Sequence, residues 1–167
     1  VFMPTVLKEN KLRTYSFDYE GQEVLRRCSK GAWYENSVDY VVDNGLMNGT
    51  DATRFEPDST TTRAMLMTVI ARYAGEDTTG SDPWYQKGME WAKANGVSDG
   101  TALNANITRE QLVTMLYRYA KASSKDVSVG EDTNILSYAD ATTVSQYAIP
   151  AMQWRAAQVS STARTAS

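Results

Sequence analysis

The feature that most constrains this chain is an internal repeat, because a missed period misreads the whole fold. "GAWYENSVDYVVDNGLMNGT" at residues 31–50 aligns with "SDPWYQKGMEWAKANGVSDGT" at 81–101. Trp33 falls on Trp84, Gly45 on Gly96 and Gly49 on Gly100, each pair 51 residues apart. Further on, "TTRAMLMTVIARYA" at 61–74 aligns with "ITREQLVTMLYRYA" at 107–120, with Thr62 on Thr108 and Arg63 on Arg109, 46 apart. The offset drops by five, so the inner loop of the second copy is five residues shorter. A third copy starts at "VSQYAIPAMQW", residues 144–154, where Met152 and Trp154 match Met89 and Trp91, 63 apart. No Gly-apolar-x-x-Gly turn and no Thr-Arg pair follow it. The remaining "RAAQVSSTARTAS" is rich in Ser, Thr and Ala and is expected to fray.

The organisation expected from this is a non-repeat segment at 1–30, repeats at 31–75 and 81–121, and a partial repeat at 138–167. Each full repeat reads as helix, loop, helix. Asp82 is expected to cap the first helix of the second repeat, with Pro83 at its first position. Asn44-Gly45 and Asn95-Gly96 read as left-handed stops just past a helix end. In the second helices, Met65, Leu66, Val69, Ile70 and Tyr73 form one apolar stripe, and Leu112, Met115, Leu116 and Tyr119 form the other. Thr108 with Gln111 makes a capping box. Phe55 is expected to tuck under the longer loop, with Leu103 as its counterpart in the shorter one, and Pro57 and Asp58 are turn residues. In the first segment, "KLRTYSFDYEG" alternates as a strand or hairpin arm would, and "GQEVLRRC" fits a helical turn. The fold class is therefore mainly α.

Composition narrows the chemistry. Of 167 residues, 42% are hydrophobic and 22% charged, which suffices for a packed core. A net charge of −3 without a basic run argues against nucleic acid as a partner. No stretch is long and apolar enough to insert into a membrane, and "VFMPTVLKENKLR" lacks the apolar core of a signal peptide. The chain does not begin with Met, as a mature or excised piece would not. The chain has no histidine, which removes the usual general base, the nucleophilic triads and the commonest metal ligand. One cysteine, Cys28, excludes an internal disulfide framework. Its neighbours Arg27 and Lys30 favour a lowered thiol pKa, against the plainer reading of a semi-buried structural thiol. No catalytic residue, metal or cofactor is expected.

The residues that recur in order, "WY…V…V…NGLMNG…F.P…TTRAM" and "WY…M.WA..NGVSDG…ITREQ…LYRY", resemble the S-layer homology family. The resemblance covers 31–121 well and 138–155 in part. It implies a pseudo-threefold helical bundle of three repeats on the bacterial cell surface. It also implies a secreted, wall-anchored protein that binds secondary cell-wall polysaccharide, often carrying a pyruvate ketal, in grooves between prongs. The arginine of the Thr-Arg motif is then among the ligand residues. Three departures stand out. Ala64-Met65 replaces the usual small residue and acid, the second loop is short, and the third repeat lacks its second half. A second copy or another chain of the same family is one way to complete the bundle.

A helix N-terminus disfavours a cation by about 0.3–1 kcal/mol, so a repeated Thr-Arg there calls for a reason. One reason is an anion site built from backbone donors and a planar guanidinium fork. The other is an ion pair with an acid of a neighbouring repeat, for which Glu20, Asp43, Glu90 and Asp99 are available. The candidate ligand residues are Arg63, Arg109, Thr62, Thr108, Gly49, Gly100, Trp33 and Trp84. Against these, Trp33 and Trp84 at helical spacing read first as core aromatics. Gly45 and Gly96 read as helix stops, whereas Gly49 and Gly100 suit a groove lining.

Two competing functions remain. A self-assembly module would use Tyr147, Ile149, Met152 and Trp154, left without a partner helix by the half-repeat. A glycan-cleaving enzyme would need a carboxylate pair such as Asp39 with Asp43 or Asp51 with Asp58, with no motif to support it. Sequons at Asn48 and Asn106 are short enough to arise by chance.

Overall fold

The computed structural model describes residues 31–50, 54–129 and 135–165, together with the backbone of two short strands at 5–8 and 11–14. The chain forms two compact units, residues 1–59 and 60–167. The molecule is mainly helical.

In the first unit, β1 (Thr5–Lys8) pairs antiparallel with β2 (Lys11–Thr14), with Thr5 opposite Thr14 and Lys8 opposite Lys11. The alternation in "KLRT" is thus one arm of a hairpin. The expected turn at 21–28, with Glu20 and Cys28, lies outside the described residues. Helix α1 spans Glu35–Asp43, and the Glu35 carboxylate accepts from the Gly31 amide at 2.6 Å. An acid in the first turn suits the positive end of the helix dipole. The helix stops at Gly45, whose φ of 67° lets the Leu46 amide reach back to the Val41 carbonyl at 2.8 Å. This crossed pairing closes the last turn, and Leu46 tucks into the interior behind it.

The second unit holds α2 (Arg63–Tyr73), α3 (Gln86–Ala94), α4 (Arg109–Ala122) and α5 (Ile149–Thr165). Three short 3₁₀ turns, Ile135–Ser137, Ala141–Thr143 and Gln146–Ala148, lead into α5. Helices α2 and α4 begin alike. Thr62 and Thr108 both sit in extended backbone as N-caps, and each hydroxyl accepts an amide three residues on at 3.3 Å. The return bond comes from Gln111 Oε1 in α4 and from the weaker Met65 thioether in α2.

The two starts are laced together. The amides of Arg63 and Ala64 donate to the carbonyls of Ala105 and Leu103, each at 3.0 Å, and the Ile107 amide donates to Thr61 at 2.9 Å. Thr60 and Asn106 add a side-chain bond at 3.1 Å. The short loop before α4 therefore runs alongside the entrance of α2.

The core lies between α2, α3 and α4: Leu66, Met67, Ile70, Ala92, Val97 and Met115, with Leu103, Leu112, Leu116, Tyr119 and Trp91 packed around it. The stripe expected on α4 is thus the packed one. On α2 the buried set is wider: Ala64, Met67, Thr68 and Ala71 are enclosed along with Leu66 and Ile70, whereas Tyr73 is exposed. The reason is close approach by α3. A Cβ on Gly88 would lie 2.7 Å from the Thr68 Cα, so only glycine lets the two backbones meet there. Phe55 and Leu103 are both half-buried, Leu103 against this core.

Two expectations need correction, the second of them in part. Asp82 does not cap α3; the Asp82–Pro83 peptide is cis, a Trp84-Tyr85 turn intervenes, and the helix starts at Gln86. Of the apolar residues of the third half-repeat, Ile149, Met152 and Trp154 are partly covered, whereas Tyr147 stays 49% exposed. Each first helix packs on the second helix of the preceding repeat, so α5 lies on α4 just as α3 lies on α2. Ala148 and Ala151 are buried there, and Trp154 meets the Tyr117 ring at 5.8 Å. Helix α5 continues through the Ser/Thr/Ala-rich stretch to Thr165. No helix is long and apolar enough to cross a membrane among the described residues.

Candidate functional site

Arg63 leaves the first turn of α2 and crosses to the loop after α3. That loop is set by Gly96, whose φ of 67° ends α3 and turns Val97 fully inward. Ser98, Asp99 and Thr101 then face Arg63. The guanidinium donates from Nε to the Thr101 carbonyl at 3.0 Å, and from Nη2 to Asp99 Oδ1 at 2.7 Å and Ser98 Oγ at 3.3 Å. Of the acids considered from sequence, Asp99 is the partner. The Arg63 side chain is only 13% exposed, whereas that of Asp99 is 64% exposed. Its Nη1 has no acceptor among the described residues.

The amides expected to be free at this helix start are occupied. Those of Arg63 and Ala64 go to the lacing carbonyls, and that of Met65 goes to the Thr62 hydroxyl. An anion at α2 therefore meets guanidinium, not backbone donors. Arg109, the second Thr-Arg arginine, is exposed and has no ion pair among the described residues. The two arginines are equivalent in the helix and different in surroundings.

Arg63 forms one end of an open cleft of about 290 Å³, lined also by Ser98, Asp99, Gln111, Thr114, Arg118 and Tyr147, with Met115 at the base. All of these belong to the second unit. The Tyr147 wall is fixed from α4. Glu110 accepts from the Ser145 amide at 3.1 Å, the Ser145 hydroxyl at 2.9 Å and the Tyr147 hydroxyl at 3.1 Å. One carboxylate thus pins the entrance of α5 to the first turn of α4.

The electrostatics follow these bonds. The Asp99 carboxyl is held below the usual range, chiefly by the Thr101 amide, against a smaller opposing effect of burial and with help from Arg63. The Glu110 carboxyl is lowered first by the Ser145 amide and then by the Ser145 hydroxyl. The Tyr147 phenol is raised, mainly by burial and then by its bond to Glu110. Both acids are anionic at neutral pH.

The other sequence candidates fall elsewhere. Trp33 and Trp84 are not core residues: they are 91% and 51% exposed, each stacked edge-on against the following tyrosine at 5.4 Å. The aromatic that follows, Tyr34 or Tyr85, turns further inward in each case. Thr62 and Thr108 are caps. Gly49 and Gly100 both have positive φ, 82° and 75°. Gly100 sits beside Asp99, and a Cβ there would press on the Lys93 side chain at 2.5 Å. Among the enzyme candidates, Asp39 and Asp43 lie on α1, while Asp51 is outside the described residues. No metal-holding cluster of acids and cysteine occurs among the described residues. Residues missed from sequence are Ser98, Glu110, Arg118 and Tyr147 in its walling role. The 46-residue offset pairs Arg118 with Arg72 in a shared Arg-Tyr-Ala, and the 63-residue offset pairs Tyr147 with Trp84, so the repeat carried a signal for both.

Capped second helices, Schellman-closed first helices and helix pairing across repeat boundaries define a helical-repeat protein with a polar cleft between repeats. Residues 29–64 match the family model of the S-layer homology domain. Over that segment the chain is similar to the S-layer homology family. It is similar to an endoglucanase from Bacillus sp. (strain KSM-635), 27% identical over 74% of this chain and 14% of that protein. It is also similar to the surface-layer 125 kDa protein of Lysinibacillus sphaericus, 30% identical over 59% of this chain and 10% of that one. A third relative is endo-1,4-beta-xylanase A of Thermoanaerobacterium saccharolyticum, 29% identical over 50% of this chain and 8% of its own length. The chain thus spans at most about a seventh of these relatives.

Proposed function

We propose that this chain is a non-catalytic anchoring module that holds a protein to the bacterial cell wall by binding an anionic, pyruvylated secondary polysaccharide. The observation that carries the reading is the cleft in which Arg63 is held rigid by Thr101, Ser98 and Asp99 with Nη1 still available. A preorganised guanidinium loses little freedom when its remaining Nη1 donates to a bound sugar. The cleft is at the small end of ligand sites, suited to a terminal sugar rather than a long glycan stretch. Thr62 and Thr108 hold the two helix starts, and Gly49 and Gly100 are the left-handed turn residues of their loops. Arg109 and the exposed face of Trp84 offer further contacts on the second unit, and exposed Trp33 offers one on the first.

The relatives support the anchoring role through their variety. Two glycan-degrading enzymes and one surface-layer protein share only a small slice with this chain. A slice common to proteins with different names fits a shared attachment function better than a shared reaction. The test is co-sedimentation with purified wall sacculi, before and after acid extraction of their secondary polymer. The expected result is binding that disappears on extraction and weakens in the Arg63→Ala/Arg109→Ala double variant. Equal sedimentation with extracted sacculi would overturn the reading.

A further inference from the structure

The two cations of the cleft are not alike. Arg63 is largely enclosed and spends Nε and Nη2 on the protein, its charge facing Asp99 at 2.7 Å. Arg118, on the last turns of α4, is exposed and has no hydrogen bond or ion pair among the described residues. Its repeat counterpart, Arg72, donates Nε to the Thr78 hydroxyl at 2.7 Å. The residue matching Thr78 is Ser124, which is left-handed with φ 54° and does not bond Arg118. The repeat therefore satisfies this arginine once and leaves it available once. Across from it stands Tyr147, 49% exposed, with its hydroxyl committed to Glu110 at 3.1 Å, so the ring is a fixed wall.

Charges in the lining make the same point. Arg63 and Asp99 offset each other, which leaves Arg118 as the cleft's unbalanced charge among the described residues. We propose that Arg118, rather than Arg63, makes the ion pair with the bound saccharide, with Tyr147 supplying the face against which the sugar ring lies. Arg63 is then a positioning residue that shapes the Ser98–Thr101 wall and contributes a hydrogen bond through Nη1. The ligand class is a sugar carrying a single carboxylate, since one bidentate guanidinium matches one carboxylate. This rests on the wall-polymer reading above.

The experiment uses the full chain and sacculi purified from Lysinibacillus sphaericus, with sedimentation measured across a sodium chloride series and melting temperature measured in parallel. Arg118→Ala is expected to weaken sedimentation by about tenfold or more, to flatten its salt dependence, and to leave the melting temperature unchanged. Arg118→Lys is expected to keep the salt dependence and recover part of the binding. Arg63→Ala is expected to lower the melting temperature and to leave the salt dependence in place. If wild-type chain does not sediment, the wall reading and this inference fall together. If wild type sediments and Arg118→Ala matches it at every salt concentration, the inference alone is overturned.

Discussion

The Arg63 guanidinium stands 2.7 Å from the Asp99 carboxylate, yet Asp99 is not held chiefly by that charge. The Thr101 amide, at 3.0 Å, is the stronger influence on its ionisation. The pair therefore acts less as an isolated salt bridge than as the rim of a small folded loop. The loop carries its own internal bonds, and Arg63 braces it from α2. Because Asp99 is mostly exposed, Asp99→Ala is expected to cost no more than about 1 kcal/mol. Arg63→Ala, which frees the Thr101 carbonyl and Ser98 as well, is expected to cost about 1–2 kcal/mol. Urea unfolding of the two variants checks the order, and a larger loss for Asp99→Ala would contradict it.

The paired caps predict a graded effect. Thr62→Ala and Thr108→Ala each remove the side-chain acceptor for an amide in the first turn, and each is expected to lose about 1 kcal/mol. The return bond in α2 comes from a thioether, a weak acceptor. Met65→Gln, which copies Gln111 of α4, is expected to raise the melting temperature slightly. A fall would show that Met65 matters more for packing than for the cap.

Close contact of α3 on α2 predicts an intolerant glycine. In Gly88→Ala the new methyl meets Thr68 backbone at 2.7 Å and its hydroxyl oxygen at 2.8 Å. Overpacking of this kind costs about 1–3 kcal/mol, more than the gain in helix propensity from alanine. Calorimetry is expected to show a lower melting temperature for Gly88→Ala, and restoration in Gly88→Ala/Thr68→Ser would not follow, since the Thr68 Cα is itself in the way.

Glu110 links stability to pH. Its folded-state pKa is lowered by Ser145 and Tyr147, so it contributes stability that is fully present above the unfolded value of about 4.3. That contribution is lost as pH falls through the lower folded value. The difference in melting temperature between wild type and Glu110→Gln is expected to be constant above about pH 5 and to shrink below about pH 4. Amide exchange in the first turn of α5 is expected to rise in the same variant. A difference that grows on acidification would refute the assignment.

What was readable in the sequence is what repeats. The two offsets located both Thr caps and both left-handed stops, because each depends on one or two residues and their immediate neighbours. Gly45 and Gly96 behave as their local sequence requires. Features that depend on distant packing were misread. Trp33 and Trp84 appear as core aromatics by spacing alone, but the following tyrosine turns inward instead and leaves each indole outside. Met67 and Ala71 escaped the expected stripe because it assumed one buried face, and α2 is enclosed more widely. The cleft itself is assembled from residues 63, 98–99, 111–118 and 147, brought together by the lacing of Thr61–Ala64 to Leu103–Ile107 and, for Tyr147, by Glu110. Nothing in either stretch announces that pairing, since it consists of backbone bonds that any residues with free amides can make. Glu110 was missed, because its clamp on Ser145 and Tyr147 reaches 35 and 37 residues along the chain.

In the anchoring proposal the cleft recognises an acidic group on a wall saccharide. The most direct measurement is calorimetric titration of the full chain with purified secondary wall polymer, native and after mild acid removal of its pyruvyl groups. The expected result is saturable binding of the native polymer, weakened by salt, and loss of most of that binding once the carboxylates are gone. Equal affinity for the two polymers would contradict it.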